Sequence, residues 1–257
     1  MTRTSVRPEQ AVHRELARSL AYRVLSQCFA YPTEEAVAEL RNVDLPQVLE
    51  EAAYLPGQLL PLLGTLEDQL RANDAVSLQT EHRRVFSHIM SVDCPPCETV
   101  YTTSQIVQEV QELADIRGFF SAFGVELEEK ERPDHISVEL EFMHLLTYKE
   151  AHAWIHHVPS NARLCRGAQR KFMHDHLGRW AGVFAERLRA KANGGFFGAV
   201  ASLTESFIAA DIALLKVRPD VPLNDPHLER PALEEFSCPV SEACSPEEQA
   251  HDDEHAD

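Results

Sequence analysis

The sequence predicts an all-α protein, a single compact helical domain followed by a disordered acidic tail, and three observations carry that reading. Stretches rich in Ala, Leu, Glu and Arg recur with the apolar spacing of helices, without the alternating β-branched runs that mark strands. Glycine is scarce, ten in 257 residues, so few positions ask for the left-handed backbone of tight hairpins. Prolines fall where helices would begin, at Pro32, Pro46, Pro133 and Pro159, where a missing N–H costs nothing. With 44% hydrophobic residues the chain can bury a substantial core.

Taken in order, the pattern predicts helices over 8–30, 33–41, 46–54, 57–72, 75–90, 98–116, 117–123, 133–157, 160–191 and 196–216. Asn193-Gly194-Gly195 reads as a helix stop and restart. The helix from 133 should bury Ile136, Leu140 and Met143 on one stripe. A break at 124–132, "GVELEEKER", divides a domain spanning 8–218 into an N-terminal half ending near 124 and a C-terminal half starting near 132. The prolines of "PDVPLNDP" end the last helix and open a linker and tail, 219–257, that lacks the apolar residues to form a core.

The formal charge of −17 is unevenly spread: residues 231–257 hold nine acids and no Lys or Arg, leaving −8 for the rest, from 32 acids against 24 bases. An acidic body disfavours nucleic acid and favours a basic partner. The N-terminus has no apolar stretch of a secretory signal, and the apolar runs, such as Leu59 to Leu63, read as too short for a bilayer. The expected location is the cytoplasm, with six cysteines kept reduced.

Several stretches could carry chemistry. In "RPDHISVELEFMH", Asp134 and His135 stand at a helix start, and Glu139 lies one turn beyond His135, a spacing that lets a carboxylate orient an imidazole. "EFMH" (Glu141 to His144) has the Glu-x-x-His spacing of helical di-iron sites, but no second copy exists on another long helix. "HDH" (His174 to His176), with His135 and Asp211, could make a metal-dependent phosphohydrolase of the helical HD type. His152, His156 and His157 fit one helix turn and read as surface residues. Cys94 and Cys97 of "CPPC", with Cys238 and Cys244 of the tail, could enclose zinc or an iron-sulfur cluster, although the second pair is widely spaced; otherwise no metal or cofactor is expected. The main phosphate-binding and serine-nucleophile loops are absent, and the residues point to no enzyme.

Together "EHRRVF" (81–86), "CPPCETVY" (94–101), "RPDHISVELEFM" (132–143), "FMHDHLGRWAGVFAERL" (172–188) and "FFGAVASLTESFIAAD" (196–211) resemble, in order and spacing, the TorD/DmsD/NarJ-like family, most specifically at PDHI-x-x-ELEFM. The PDH version looks closer to the TorD and type II reductase chaperones than to the nitrate reductase ones. The resemblance, over about residues 10–216, implies an all-helical cytoplasmic chaperone of molybdenum oxidoreductases. Such a protein binds the twin-arginine leader and apoenzyme of a catalytic subunit, assists molybdopterin insertion and delays export, as a monomer or dimer. It further implies a leader-binding role for Pro133, Asp134 and His135, with Glu139 beside them, and for Pro95, Pro96, Glu98 and Tyr101. Cys97 stands where relatives often carry an aromatic residue.

Overall fold

The computed structural model describes residues 8–47, 59–86, 93–128 and 131–221. Their regular secondary structure is helical: α1 (Pro8–Phe29), α2 (Glu34–Arg41), α3 (Leu59–Ala72), α4 (Ala75–Phe86), α5 (Thr99–Thr102), α6 (Ile106–Ala122), α7 (Ile136–Ile155), α8 (Pro159–Asp175), α9 (Leu177–Ala192) and α10 (Gly195–Leu215). Of the helix expected over 46–54, only residues 46–47 are described, and they are helical. Most of the expected tail, including Cys238 and Cys244, lies outside the described residues.

The long helices share one core. α1 runs along α7, α8 packs on the other side of α7, α9 lies against α10, and α3 covers α10. Helices from either side of 124–132 are therefore interleaved. α7 is the central element because Ile136, Leu140 and Met143 are all fully buried, as their spacing predicts. Phe142 on the same helix meets Phe120 of α6 at 4.6 Å and Phe172 of α8 at 4.9 Å, between ring centroids. Burying such side chains contributes roughly 1.5–3 kcal/mol each.

Local chemistry sets the helix ends. Thr33 caps α2, its hydroxyl accepting from Ala36 N at 3.2 Å. Asn193 closes α9 in the left-handed conformation, and Gly194 and Gly195 also have positive φ, as the stop-and-restart reading expects. Glu81 of α4 then accepts from Phe196 N and Phe197 N, so its carboxylate closes the N-terminus of α10. Position 195 favours glycine because φ is +70°, and a Cβ there would fall 2.7 Å from that carboxylate and push it off the helix start.

Four expectations are corrected. The stretch 98–123 does not break at 116 but at 103–105: α5 is a single turn, and extended backbone at Thr103 and Gln105 separates it from α6. The helix expected over 160–191 is two helices, broken at His176, whose φ of −128° and ψ of −100° are not helical. There Gly178 lets the carbonyl of Met173 approach so closely that a Cβ would lie 2.3 Å from it. α7 starts at Ile136 rather than 133, with His135 as its N-cap. Finally, α10 is long and apolar enough to cross a membrane by length and composition, which the reading of short apolar runs overlooked. It is instead largely buried, with Phe196, Phe197, Val200, Phe207 and Ile208 in the core.

Candidate functional site

The two stretches singled out in the sequence, 94–101 and 132–139, meet. Glu98 N donates to Asp134 O and Ile136 N donates to Pro96 O, both at 2.9 Å, so that Cys97 and His135 form an isolated antiparallel bridge. Pro95, Pro96 and Pro133 have no N–H to donate, which helps to keep the pairing this short. Pro95 and Pro133 are buried and Pro96 is half-buried.

Asp134 is fully buried with both oxygens engaged. Oδ1 accepts from Arg132 Nε at 2.9 Å; Oδ2 accepts from Arg132 Nη2 at 3.0 Å, Thr99 Oγ1 at 2.7 Å and Thr99 N at 3.3 Å. The carboxylate thus closes the start of α5, not of its own helix. Burial pushes its pKa up, but Arg132 and Thr99 outweigh that and hold it below the usual value. Arg132 Nη2 also reaches Glu109 Oε1 at 3.2 Å, tying the turn to α6.

His135 caps α7: Nδ1 accepts from Ser137 N at 3.3 Å and lies 2.7 Å from Ser137 Oγ. Burial, with His82 and Arg132 opposing a charge, pushes its pKa down to about 4 against the pull of Asp134. The i,i+4 pairing with Glu139 does not occur. Glu139 turns into the core, where Oε2 accepts from Trp180 Nε1 at 3.1 Å, and burial together with the neighbouring Glu98 pushes its pKa well above the usual range. Tyr101 is buried against Trp180, with Arg187 over its ring.

Glu98 is also fully buried and faces the α8–α9 junction. His176 Nδ1 lies 3.3 Å from each Glu98 oxygen and 3.9 Å from Glu112 Oε2, while Nε2 lies 3.2 Å from Asp115 Oδ2. Arg179 Nη1 donates to Glu112 Oε1 at 3.2 Å. Burial opposes a charge on His176, but Glu98, Asp115 and Glu112 outweigh it and raise the pKa.

The other candidates are dispersed. His174 is exposed and lies against Asp175, and Asp211 is locked to Arg18 and Tyr22, so the HD-type set of His135, His174 and Asp211 is not assembled. Glu141 is exposed, whereas His144 hydrogen-bonds Ser19. The His152 and His156 rings lie tilted against each other on the surface, 4.1 Å between centroids, and His157 is exposed beside them. Cys94 and Cys97 are buried; burial, then Asp134, pushes the Cys97 thiol up to about 12, which makes it unreactive at neutral pH.

Sequence reasoning missed Thr99, Arg132, Glu109, Glu112, Asp115 and Trp180. Arg132 sits inside the quoted stretch, and its fork beside a carboxylate was a signal that could have been read. Glu112 and Asp115 offered only an i,i+3 pair of acids. Equally hidden was the network around Arg18 of α1, which is fully buried and grips Asp211 of α10 through two 2.6 Å bonds, Gln169 of α8 at 2.8 Å, and Glu15. Tyr22 donates to Asp211, and Arg166 bridges Glu15 and Glu150.

A family model described as "Nitrate reductase delta subunit" matches residues 47–186, more than half of the chain. The chain belongs to this family, the TorD/NarJ-like redox-enzyme maturation chaperones. It is 28% identical over 216 residues to the perchlorate reductase assembly chaperone protein of Dechloromonas aromatica (strain RCB), covering 79% of this chain and 92% of that one. A crystal structure from Archaeoglobus fulgidus, described as a redox enzyme maturation protein, aligns with a TM-score of 0.48 at 22% identity, over 75% of this chain and 93% of its own.

Proposed function

We propose that the protein is a cytoplasmic chaperone that binds the catalytic subunit of a molybdenum oxidoreductase, together with its twin-arginine leader, keeps it open for molybdopterin insertion and delays its export. It acts by binding and performs no chemistry on its client. Family membership supports the chaperone role, and one structural observation supports the place: the 94–101 and 132–139 turns, 35 residues apart, are stapled into a single unit by Asp134. Beside that unit α6 presents Ile106, Val107 and Val110 to solvent, 80%, 67% and 62% exposed, along with Glu109 and Asp115. An apolar stripe edged by carboxylates suits a segment that carries guanidinium groups next to apolar residues.

In this reading Asp134 is a positioning residue. Its oxygens are already taken by Arg132 and Thr99, so the leader-binding role implied for it is indirect. The leader arginines fall to the rim carboxylates Glu109 and Asp115, while Pro96 and His135 line the turn. Calorimetric titration with the client leader peptide tests the reading. Wild type should bind it, and replacing both leader arginines by lysine should weaken binding at least tenfold, because lysine cannot make the bidentate contact. Equal affinity for the two peptides, or none for either, would remove the leader from this face.

A further inference from the structure

Beyond the face proposed for a client, the protein brings together a group of candidate ligand atoms inside its own fold. Glu98, Glu112 and His176 each offer one donor atom, all within 4.8 Å of one another. These residues come from three places in the chain: the turn just before α5, the middle of α6, and the junction of α8 and α9. Glu98 and His176 are 0% and 1% exposed, and neither Glu98 Oε2, 3.3 Å from His176 Nδ1, nor His176 Nε2, 3.2 Å from Asp115 Oδ2, makes a well-aligned hydrogen bond. Leaving Glu98 Oε2 unsatisfied is costly, and because it faces His176 Nδ1 together with Glu112 Oε2, that side of the ring calls for a further group.

We propose that Glu98, Glu112 and His176 form a binding site for one divalent first-row cation of the zinc or manganese class. Three features of the geometry favour a cation over a plain ion pair. His176 Nδ1 is 3.3 Å from both Glu98 oxygens and 3.9 Å from Glu112 Oε2, and two ligands each about 2.1 Å from a tetrahedral ion lie about 3.4 Å apart. The opposite ring nitrogen, Nε2, faces Asp115 Oδ2 at 3.2 Å, and a small turn of that exposed side chain would let it accept the N–H. A carboxylate behind a metal-bound imidazole is the usual device for fixing its tautomer. The carboxylates of Glu98, Glu112 and Asp115 also outnumber the one guanidinium beside them, Arg179.

The donor set contains oxygen and nitrogen and no thiolate, which fits zinc or manganese and gives copper(I) or an iron-sulfur cluster nothing to hold. Entry is open, because Glu112 and Asp115 also line a surface cleft with Thr102, Thr103, Gln108 and Gln111. The ion would clamp α6 and the α8–α9 break to the turn that holds Asp134. A bound metal would therefore stiffen the face proposed above for the client, although the site itself stands on its own residues.

Tag-free full-length protein, dialysed against EDTA and then against metal-free buffer, is titrated with Zn2+ and separately with Mn2+. The expected result is one equivalent bound at micromolar affinity or tighter, with a thermal midpoint that rises by several degrees. Glu112→Gln, at a partly exposed position that should tolerate it, lowers the affinity at least tenfold, whereas Glu109→Gln leaves it unchanged. No heat and no midpoint shift with either ion up to millimolar concentration would overturn the proposal. So would undiminished binding in Glu112→Gln that is lost in Cys238→Ser/Cys244→Ser, which would put the metal on the thiolates instead.

Discussion

Two buried charge clusters border α7, one at Glu139 near its start and one at Glu150 near its end, and they have been built in opposite ways. Around Arg18 every acid meets a base: Glu15, Glu150 and Asp211 face Arg14, Arg18 and Arg166, with Gln169 and Tyr22 taking further bonds. Burial alone would push the Glu15 carboxyl up, but the three arginines hold it below its usual value. Around His176 the count does not close, since Glu98, Glu112, Asp115 and Glu139 share Arg179 and one imidazole, and orphan atoms remain. The difference separates two uses of buried charge. A balanced cluster fixes how helices dock, whereas an unbalanced one is a place where a ligand or a proton is still to be accommodated.

Breaking the balanced cluster should produce the largest effect. Arg18→Met leaves Asp211 and Glu15 without their main counter-charge, and removal of one partner from a buried pair costs roughly 3–5 kcal/mol, a large share of a domain's stability. Urea denaturation should show this loss, and Arg18→Met/Asp211→Leu should recover part of it. A single variant as stable as wild type would mean that the network adds little to docking.

Asp134 adjoins the His176 cluster through Glu98 and should show an intermediate effect. Asp134→Asn keeps the shape but loses the charge that binds Arg132, so a loss of about 2 kcal/mol is expected, from charge-assisted bonds worth roughly 1.5–3 kcal/mol. Because the residue is buried, weaker leader binding in this variant counts as a site effect only where helicity and urea midpoint show that the fold survives. Glu109→Gln, at a half-exposed position, should weaken leader binding with little change in stability.

Much of this was legible from the residues, and what was not has a physical reason. The period of α7 revealed its buried stripe because Ile136, Leu140 and Met143 recur at helical spacing, and Asn193-Gly194-Gly195 announced its own turn. The break at His176 was invisible because "HDHLGRW" has no proline and only Gly178 to hint at the close approach to Met173. The two motif stretches could be named, but not which atoms meet. Asp134 was placed at the start of its own helix because adjacency in sequence suggests local bonds, and its partner Thr99 lies 35 residues away. The Arg18 network joins residues up to 193 positions apart, a distance at which spacing carries no information.

Acid titration sharpens the comparison at His135, whose partners are Asp134, Arg132, His82 and Ser137. Its folded pKa, about 4, is below the unfolded value near 6.5, so the folded state binds the proton less well. The neutral ring's contribution is thus fully present above about pH 6.5 and is lost as pH falls toward 4. Partial exposure limits the loss to roughly 1–2 kcal/mol. His135→Asn keeps a capping acceptor and removes the proton site, and its urea midpoint should fall less than that of wild type between pH 6.5 and 4.5. Parallel pH profiles would show that the ring is charged at no cost in the fold.

The smallest effect is expected at Glu139, and it is the one that most clearly divides the clusters. In a balanced network, neutralising an acid is damaging, as at Asp211, because the buried arginine loses its partner. Glu139 has no arginine. Its Oε2 accepts from Trp180, and Glu98 beside it opposes its charge and is close enough to share a proton with it. Glu139→Gln retains an oxygen for the indole N–H and an N–H to face Glu98 where the neutral acid had its proton, so stability should change by no more than about 1 kcal/mol. Asp211→Asn in the same assay should cost at least about 2 kcal/mol, since a charge-assisted pair is broken there. If the two amides destabilise equally, the acids around His176 are as closely paired as those around Arg18, and the contrast between the clusters fails.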